Sequence, residues 1–261
     1  MSASMRQARP LTLVQLTDPH LLADPAGRLH GWRVAAAFDA VAAAARTRFP
    51  HPDALLLTGD LVHDESGAGY RWLASRLRGW APVFAIPGNH DDPATLTAAL
   101  RPDAGVGETR LGDWRLHLLD SRMPGRDDGR VGPAQRARLQ AALTATDKPA
   151  LVVVHHPPVA VGTAWIDALG LTDGEALRAL LRQGPTVRGV VAGHVHQAVD
   201  RCVDGWRLLT TPATCRQFRP GSRDFAEDRR RAPGYRALRL YPDGRLTSRV
   251  FRVPAALAAR G

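Results

Sequence analysis

Leu11-Thr12-Leu13-Val14-Gln15-Leu16-Thr17-Asp18-Pro19-His20 is the stretch whose reading decides the fold. A short, mainly apolar run, of strand rather than helix length, leads straight into an Asp-x-His pair. The arrangement recurs along the chain. Ala54–Thr58 leads into Gly59-Asp60, and Val83–Ile86 into Gly88-Asn89-His90-Asp91. Residues 151–154 lead into His155-His156-Pro157, and Val187–Ala192 into Gly193-His194-Val195-His196. Six of the ten histidines fall in these blocks. Together the blocks carry enough Asp, Asn and His to ligate two adjacent metal ions, with one imidazole to spare.

Segments of helical spacing separate the runs. Val34–Arg48 is alanine-rich with Phe38 and Val41 on one side, and residues 70–77 carry Trp72, Leu73 and Leu77. Pro93–Leu100 and residues 133–143 each open on a proline, which suits a first helical turn. Residues 172–181 open on Thr172 with Glu175 three residues on, a capping-box pattern. Strand–helix alternation predicts an α/β fold with parallel strands, whose ligands gather beyond the carboxyl ends of the strands. Every block sits there. Asp18 and His20, like His194 and His196, are two apart, so an extended backbone would turn both side chains to one side. Residues 114–119 read as a further strand. Toward the end, Trp206–Thr210 and residues 235–241 and 246–253 read as strands, and Pro242-Asp243-Gly244-Arg245 as a turn, so the tail is expected to be antiparallel. Two long polar loops, 124–132 and 216–234, remain; the second could cover a site or join a partner chain.

The 261 residues suit a single domain with its core over about residues 11–253. The apolar fraction of 44% is that of an ordinary globular protein. The net charge of +10 is carried almost wholly by arginine, with Lys148 the one lysine. Such a surface attracts anions or is simply solvated. No helix-turn-helix, zinc finger or aromatic-interleaved basic stretch points to nucleic acid as the partner. Cys202 and Cys215 match neither a disulfide framework nor a zinc motif. Residues 1–10 lack the apolar core of a signal peptide, and no run approaches the roughly 20 apolar residues of a membrane span. The expected compartment is the cytoplasm.

In this order, the blocks Asp-x-His, Gly-Asp, Gly-Asn-His-Asp, His-x-Pro and Gly-His-x-His resemble the calcineurin-like metallophosphoesterases. Further stretches resemble one branch, the bacterial class III 3′,5′-cyclic-nucleotide phosphodiesterases. These are Thr17 to Leu21, Thr58 to Asp64, Pro87 to Asp91, His155 to Pro158 with Trp165-Ile166-Asp167, Gly193 to Gln197, Gln217-Phe218 and Pro233 to Arg236. The resemblance runs from about Leu11 to Val253. It implies a four-layer α/β/β/α sandwich, two mixed sheets flanked by helices. It also implies that Asp18, His20, Asp60 and His196 hold one metal, and Asp60, Asn89, His155 and His194 the other, with Asp60 bridging. His155 rather than His156 fits the His-x-Pro pattern; His156 either faces the substrate or packs. Asn89, His90 and His196 are the other expected substrate contacts.

The implied reaction is hydrolysis of 3′,5′-cyclic AMP to 5′-AMP by in-line attack of a hydroxide bridging two metals about 3.5–4 Å apart. His90 is not needed as a ligand and is placed to stabilise the transition state or protonate the leaving alkoxide. Related phosphatases often carry an Asp three residues after the bridging Asp, where it orients that histidine. Here the position is His63, which leaves Asp64 as the candidate orienting group. Mixed nitrogen and oxygen ligands suit iron and manganese first, then zinc or cobalt, and suit calcium poorly. The alternatives are cleavage of other small diesters, such as glycerophosphodiesters or 2′,3′-cyclic nucleotides, and a scaffold without catalysis. The complete ligand set argues against the scaffold. Related phosphodiesterases are often dimers, so a homodimer is a further expectation.

Overall fold

The computed structural model describes residues 9–260, and Met1–Ala8 of the stretch searched for a signal peptide lie outside it, as does Gly261. In chain order the strands are β1 (Leu11–Leu16), β2 (Ala54–Thr58), β3 (Val83–Ile86), β4 (Gly107–Leu111), β5 (Trp114–Leu118), β6 (Ala150–Val153), β7 (Val187–Ala192), β8 (Val199–Val203), β9 (Trp206–Thr210), β10 (Gly234–Leu240) and β11 (Leu246–Arg252). The helices are α1 (Val34–Arg48), α2 (Gly67–Leu77), α3 (Pro93–Leu100), α4 (Gly132–Thr144), α5 (Ala164–Asp167) and α6 (Gly174–Gln183). One sheet has the order β11-β10-β1-β2-β3 and the other β4-β5-β6-β7-β9-β8. In each, the strands that carry the metal-ligand blocks run parallel, β1-β2-β3 in the first and β6-β7 in the second. Among the described residues no helix is long and apolar enough to cross a membrane.

Side-chain alternation along these strands separates the layers. Leu13, Leu56, Leu151, Val153, Val191 and Leu209 meet in one cluster between the sheets. Their neighbours point outward. Val14, Leu55 and Leu57 pack on Phe38 and Val41 of α1 and Leu73 of α2. Val152, Val190 and Leu208 pack on Leu139 of α4 and Leu177 of α6. Two mixed sheets flanked by helices on both outer faces result, as the resemblance implies. Strands buried on both faces are why these runs are continuously apolar and not alternating. Each fully buried Leu or Val contributes on the order of 2 kcal/mol of transfer free energy.

Several local expectations are corrected. β4 and β8 lie at the two edges of the second sheet; both are short and largely exposed, so no apolar run announced them. The tail is not wholly antiparallel. β10 and β11 form the expected antiparallel pair, but β9 lies parallel to β7 in the other sheet. Thr172 does not cap a helix: its hydroxyl donates to Gly129 O at 3.1 Å and α6 starts at Gly174. Asp173, just before α6, instead accepts the N–H groups of Val131 and Gly132 at 3.0 and 2.9 Å, fixing the start of α4.

Arg236 of β10 is a buried tie between the sheets. Its Nε–H donates to Thr211 Oγ1 at 3.0 Å, and Nη2 donates to Val199 O at 2.9 Å and Thr210 O at 2.6 Å, all on the second sheet or its margin. Nη1 donates to Ser248. Burial pushes the guanidinium down to about 10 despite Asp200 nearby. Arg236→Ala leaves three second-sheet acceptors without a donor, so a loss of about 3 kcal/mol is expected at about 1 kcal/mol each. Urea unfolding of the two proteins checks this.

Candidate metal centre

The ligand blocks leave β1, β2, β3, β6 and β7 at their carboxyl ends and lace together through the backbone. Asp18 N–H donates to Gly59 O at 3.1 Å, His20 N–H to Asp60 O at 3.0 Å and Gly193 N–H to His155 O at 3.1 Å. Side chains join the mesh: His194 N–H donates to Asp18 Oδ1 at 2.9 Å and His90 N–H to Asp60 Oδ1 at 3.0 Å. The expected extended backbone at Asp-x-His and His-x-His is not found. Asp18, His20, Asp60, His194 and His196 all have left-handed backbone, with φ of 50°, 47°, 51°, 67° and 50°. That conformation costs roughly 1–2 kcal/mol for a residue with a side chain. Its concentration on these residues marks the loops as shaped for function over stability. Gly88 explains its own identity: a Cβ there would overlap the Asp60 side chain and backbone.

The tautomers follow from fixed acceptors. His155 Nδ1 lies 2.7 Å from the carbonyl of Thr58, so it carries the hydrogen and leaves Nε2 facing inward. His196 Nδ1 likewise donates to Arg216 O at 2.9 Å. Backbone carbonyls thus orient both rings, the usual support of a metal-binding imidazole. Inside, the ring nitrogens and side-chain oxygens crowd together. His196 Nε2 is 3.2 Å from His20 Nε2 and 3.5 Å from Asp18 Oδ1. His155 Nε2 is 3.2 Å from Asn89 Oδ1 and 3.4 Å from Asp60 Oδ1. The other Asp60 oxygen, Oδ2, is 3.6 Å from His20 Nε2. His194 Nε2 is buried with no hydrogen-bond partner.

These residues fit bound cations, because imidazole nitrogens and carboxylate oxygens, the usual metal ligands, converge in one buried cluster. Ligand atoms of Asp18, His20 and His196 lie within 4.8 Å of one another, as do those of Asp18, Asp60 and His155. Protonation states suit the same role. Burial holds His20 and His194 well below the usual histidine range, which keeps them neutral. Burial works against charge on Asp60, but His155 holds its carboxyl well below the usual carboxylate range. Burial also opposes a proton on His155, yet the Asp60 charge raises it to about 9. That proton answers the need a cation would meet.

Two sequence expectations are corrected here. Asp64 is not turned toward His90: its carboxylate accepts Ala23 N–H at 2.8 Å and Ser66 N–H at 3.2 Å on an exposed turn. The ring against His90 is His63, 4.4 Å away between centroids. His156 does not face substrate; it packs. Its Nε2–H donates to Asp127 O at 3.0 Å, so Nδ1 accepts from Ser121 Oγ at 2.8 Å, and both nitrogens are used. Burial, then His155, pushes it down to about 3. Asn89, His90 and His196, the other expected substrate contacts, all line the cavity over the centre.

Other residues at the site had no role assigned from sequence. The Asp91 carboxylate accepts Leu61, Val62 and Gly88 N–H and the Tyr70 hydroxyl, pinning the Asp60 and Asn89 loops together. Its place at the end of the Asn-His-Asp block was the available signal. Arg216, Phe218 and Phe225 come over the centre from the 216–234 loop, so that loop covers the site. His63 lines the cavity too, at the position three residues after Asp60 where related phosphatases often carry an Asp.

The fold and this geometry define a class. A family model described as calcineurin-like phosphoesterase matches residues 11–198. The chain belongs to the calcineurin-like phosphoesterase family. It is 39% identical over 246 residues to a 3′,5′-cyclic adenosine monophosphate phosphodiesterase of Pseudomonas aeruginosa, covering 92% of this chain and 89% of that protein. It is 37% identical over 251 residues to a protein of the same name from Vibrio vulnificus (strain CMCP6), covering 93% and 90%. In fold it is similar to a dimetal phosphatase from Danio rerio, with a TM-score of 0.63, 18% identity, and coverage of 94% of this chain and 100% of that one.

Asp60→Ala is expected to lose metal beside His20 and beside His155 together, because its Oδ2 faces the one ring and its Oδ1 the other. Elemental analysis of the purified variant against the parent checks this, and full metal content in the variant contradicts a bridging Asp60.

Proposed function

We propose that this chain is a dinuclear-metal phosphodiesterase that opens 3′,5′-cyclic AMP to 5′-AMP. One observation carries the metal assignment: the two oxygens of Asp60 face separate imidazoles, Oδ2 toward His20 and Oδ1 toward His155. In this reading Asp18, His20, Asp60 and His196 hold one ion, and Asp60, Asn89, His155 and His194 hold the other. The ligand chemistry favours iron or manganese, with zinc or cobalt as substitutes. Two bound cations would supply Lewis acidity and lower the pKa of a water toward neutrality. The substrate assignment is supported by the names of relatives aligned over most of both chains.

The chain's own residues then divide the work. Thr58 and Arg216 carbonyls hold the His155 and His196 rings, so the inward nitrogens do not turn away. Thr17 Oγ1–H donates to Asp18 Oδ2 at 2.6 Å and His194 N–H to Oδ1, which fixes that carboxylate. His90 enters the cavity from the Asn89 loop, with its backbone N–H anchored on Asp60. A water attacks phosphorus in line with O3′ and gives up a proton to solvent, the P–O3′ bond breaks, and the His90 ring delivers a proton to O3′ that it regains from solvent. Ribose alkoxides are poor leaving groups, so this proton matters most in the transition state.

Measuring kcat/KM for cyclic AMP with added manganese, beside bis(p-nitrophenyl) phosphate, tests the substrate. Turnover of cyclic AMP comparable to or better than that of the aryl diester is expected. Rapid cleavage of the aryl diester with negligible cyclic AMP hydrolysis would replace cyclic AMP by another small diester. His90→Ala is expected to keep its metal and lose about 10²–10⁴ in kcat, the usual contribution of a positioned proton donor. Loss of metal in that variant would make His90 a ligand instead.

A further inference from the structure

The cavity over the centre, about 220 Å³, has two unlike walls. One is made of the ligand residues. The other is aromatic and comes from two segments whose side chains no step of the reaction uses, Trp165 on α5 and the loop carrying Arg216, Phe218 and Phe225. Phe218 stacks flat on the His196 ring, at 4.1 Å and 7°. Trp165 meets Phe218 and Phe225 edge to face at 4.8 and 5.1 Å. Phe225 is 57% exposed; among the described residues Val106 is the other large apolar side chain left open to water.

This wall is held in place. The Asp167 carboxylate accepts the N–H groups of Val161, Gly162 and Thr163 at 2.6, 2.9 and 2.7 Å, which sets the entry to α5. Thr163 Oγ1 accepts Gly221 N–H at 3.0 Å and so ties the two segments together. Phe218 and Glu227 bridge in antiparallel fashion, with Arg219 N–H donating to Ala226 O at 2.8 Å. Phe225 therefore sits near the tip of a braced hairpin. An exposed phenyl ring is thus presented from a braced support beside the centre.

Two donors on this wall also lack partners. Trp165 Nε1–H and Arg216 Nε–H are buried without a hydrogen bond. The Arg216 guanidinium lies 5.4 and 5.8 Å from the Phe218 and Phe225 rings, and among the described residues no carboxylate forms an ion pair with it. An occupant of this wall is therefore flat, stacks on aromatic rings, offers acceptor atoms and is joined to a phosphate. A nucleobase meets all four conditions, and an alkyl group meets neither the stacking nor the acceptor requirement.

We infer that Trp165 and Phe225 form a nucleobase subsite, with Arg216 at its junction with the metal ligands. The subsite deepens the cyclic-nucleotide reading and rests on it for the substrate, though not for the binding itself. It accounts for Trp165-Ile166-Asp167 and Gln217-Phe218, which the reaction leaves without a role. Trp165 and Phe225 supply stacking surface, Phe218 joins that surface to the His196 ring, and Asp167 and Gln217 shape the two supporting segments.

Calorimetric titration of the manganese-loaded protein with 5′-AMP and with ribose 5-phosphate isolates the base, because the phosphate is common to both. AMP is expected to bind about tenfold more tightly or better, the usual worth of one stacked base. Phe225→Ala should collapse that difference. The ring is exposed, so the variant should fold, and Phe225→Trp should restore the preference. Equal affinities in the parent protein, or an undiminished difference in Phe225→Ala, would overturn the subsite. If AMP is preferred while cyclic AMP is not cleaved, the substrate assignment falls and the subsite stands. If cyclic AMP is cleaved while the two phosphates bind alike, the subsite falls and the reaction stands.

Discussion

At the heart of this protein, imidazole nitrogens and carboxylate oxygens crowd together. The inward nitrogens of His20 and His196 are 3.2 Å apart, and His155 Nε2 faces two oxygens, with Asp18 and Asp60 buried among them. Such a cluster is costly to bury unless positive charge lies within it. The surroundings serve that requirement. Carbonyls at Thr58 and Arg216 fix ring orientation, and backbone N–H groups fix the carboxylates. A site built this way holds its ligands in position before an ion arrives, which is what precise metal chemistry needs.

The strain at the centre has its counterweight in the layers around it. Asp18, His20, Asp60, His194 and His196 sit in left-handed backbone, at a combined cost of several kcal/mol. The inter-sheet cluster and the two outer clusters offset that cost through apolar burial. Because β1, β2 and β3 are parallel in one sheet, and β6 and β7 in the other, their carboxyl ends open on one side. The left-handed turns there keep the loops short enough for Asp60 to reach both groups of histidines.

The polar and aromatic halves of the cavity follow different rules. On the metal side, the identity of each side chain is dictated by coordination chemistry, and neighbours such as Asp91 exist to hold loops. On the aromatic side, shape and stacking matter, and residues such as Asp167 and Thr163 act by fixing short segments. Arg216 belongs to both: its carbonyl orients His196 while its guanidinium lies near Phe218 and Phe225.

Much of this was legible in the chain itself. Apolar runs of strand length, each ending in Asp, Asn or His, announced the α/β class and the polar side chains that meet at the sheet edge, because burial on both faces leaves few residue types for the strands themselves. The edge strands β4 and β8 were not legible, since an exposed strand needs no apolar pattern. Neither was the left-handed backbone at Asp18 and His194, where spacing alone suggested an extended segment. The partners of His156 and Asp64 were decided only by tertiary structure: Ser121 and Asp127 take both nitrogens of the one, and Ala23 and Ser66 occupy the other. The aromatic wall is the clearest such case. Trp165 lies far in sequence from Phe218 and Phe225, and they meet only because α5 and the 216–234 loop fold over the same edge of the sheets.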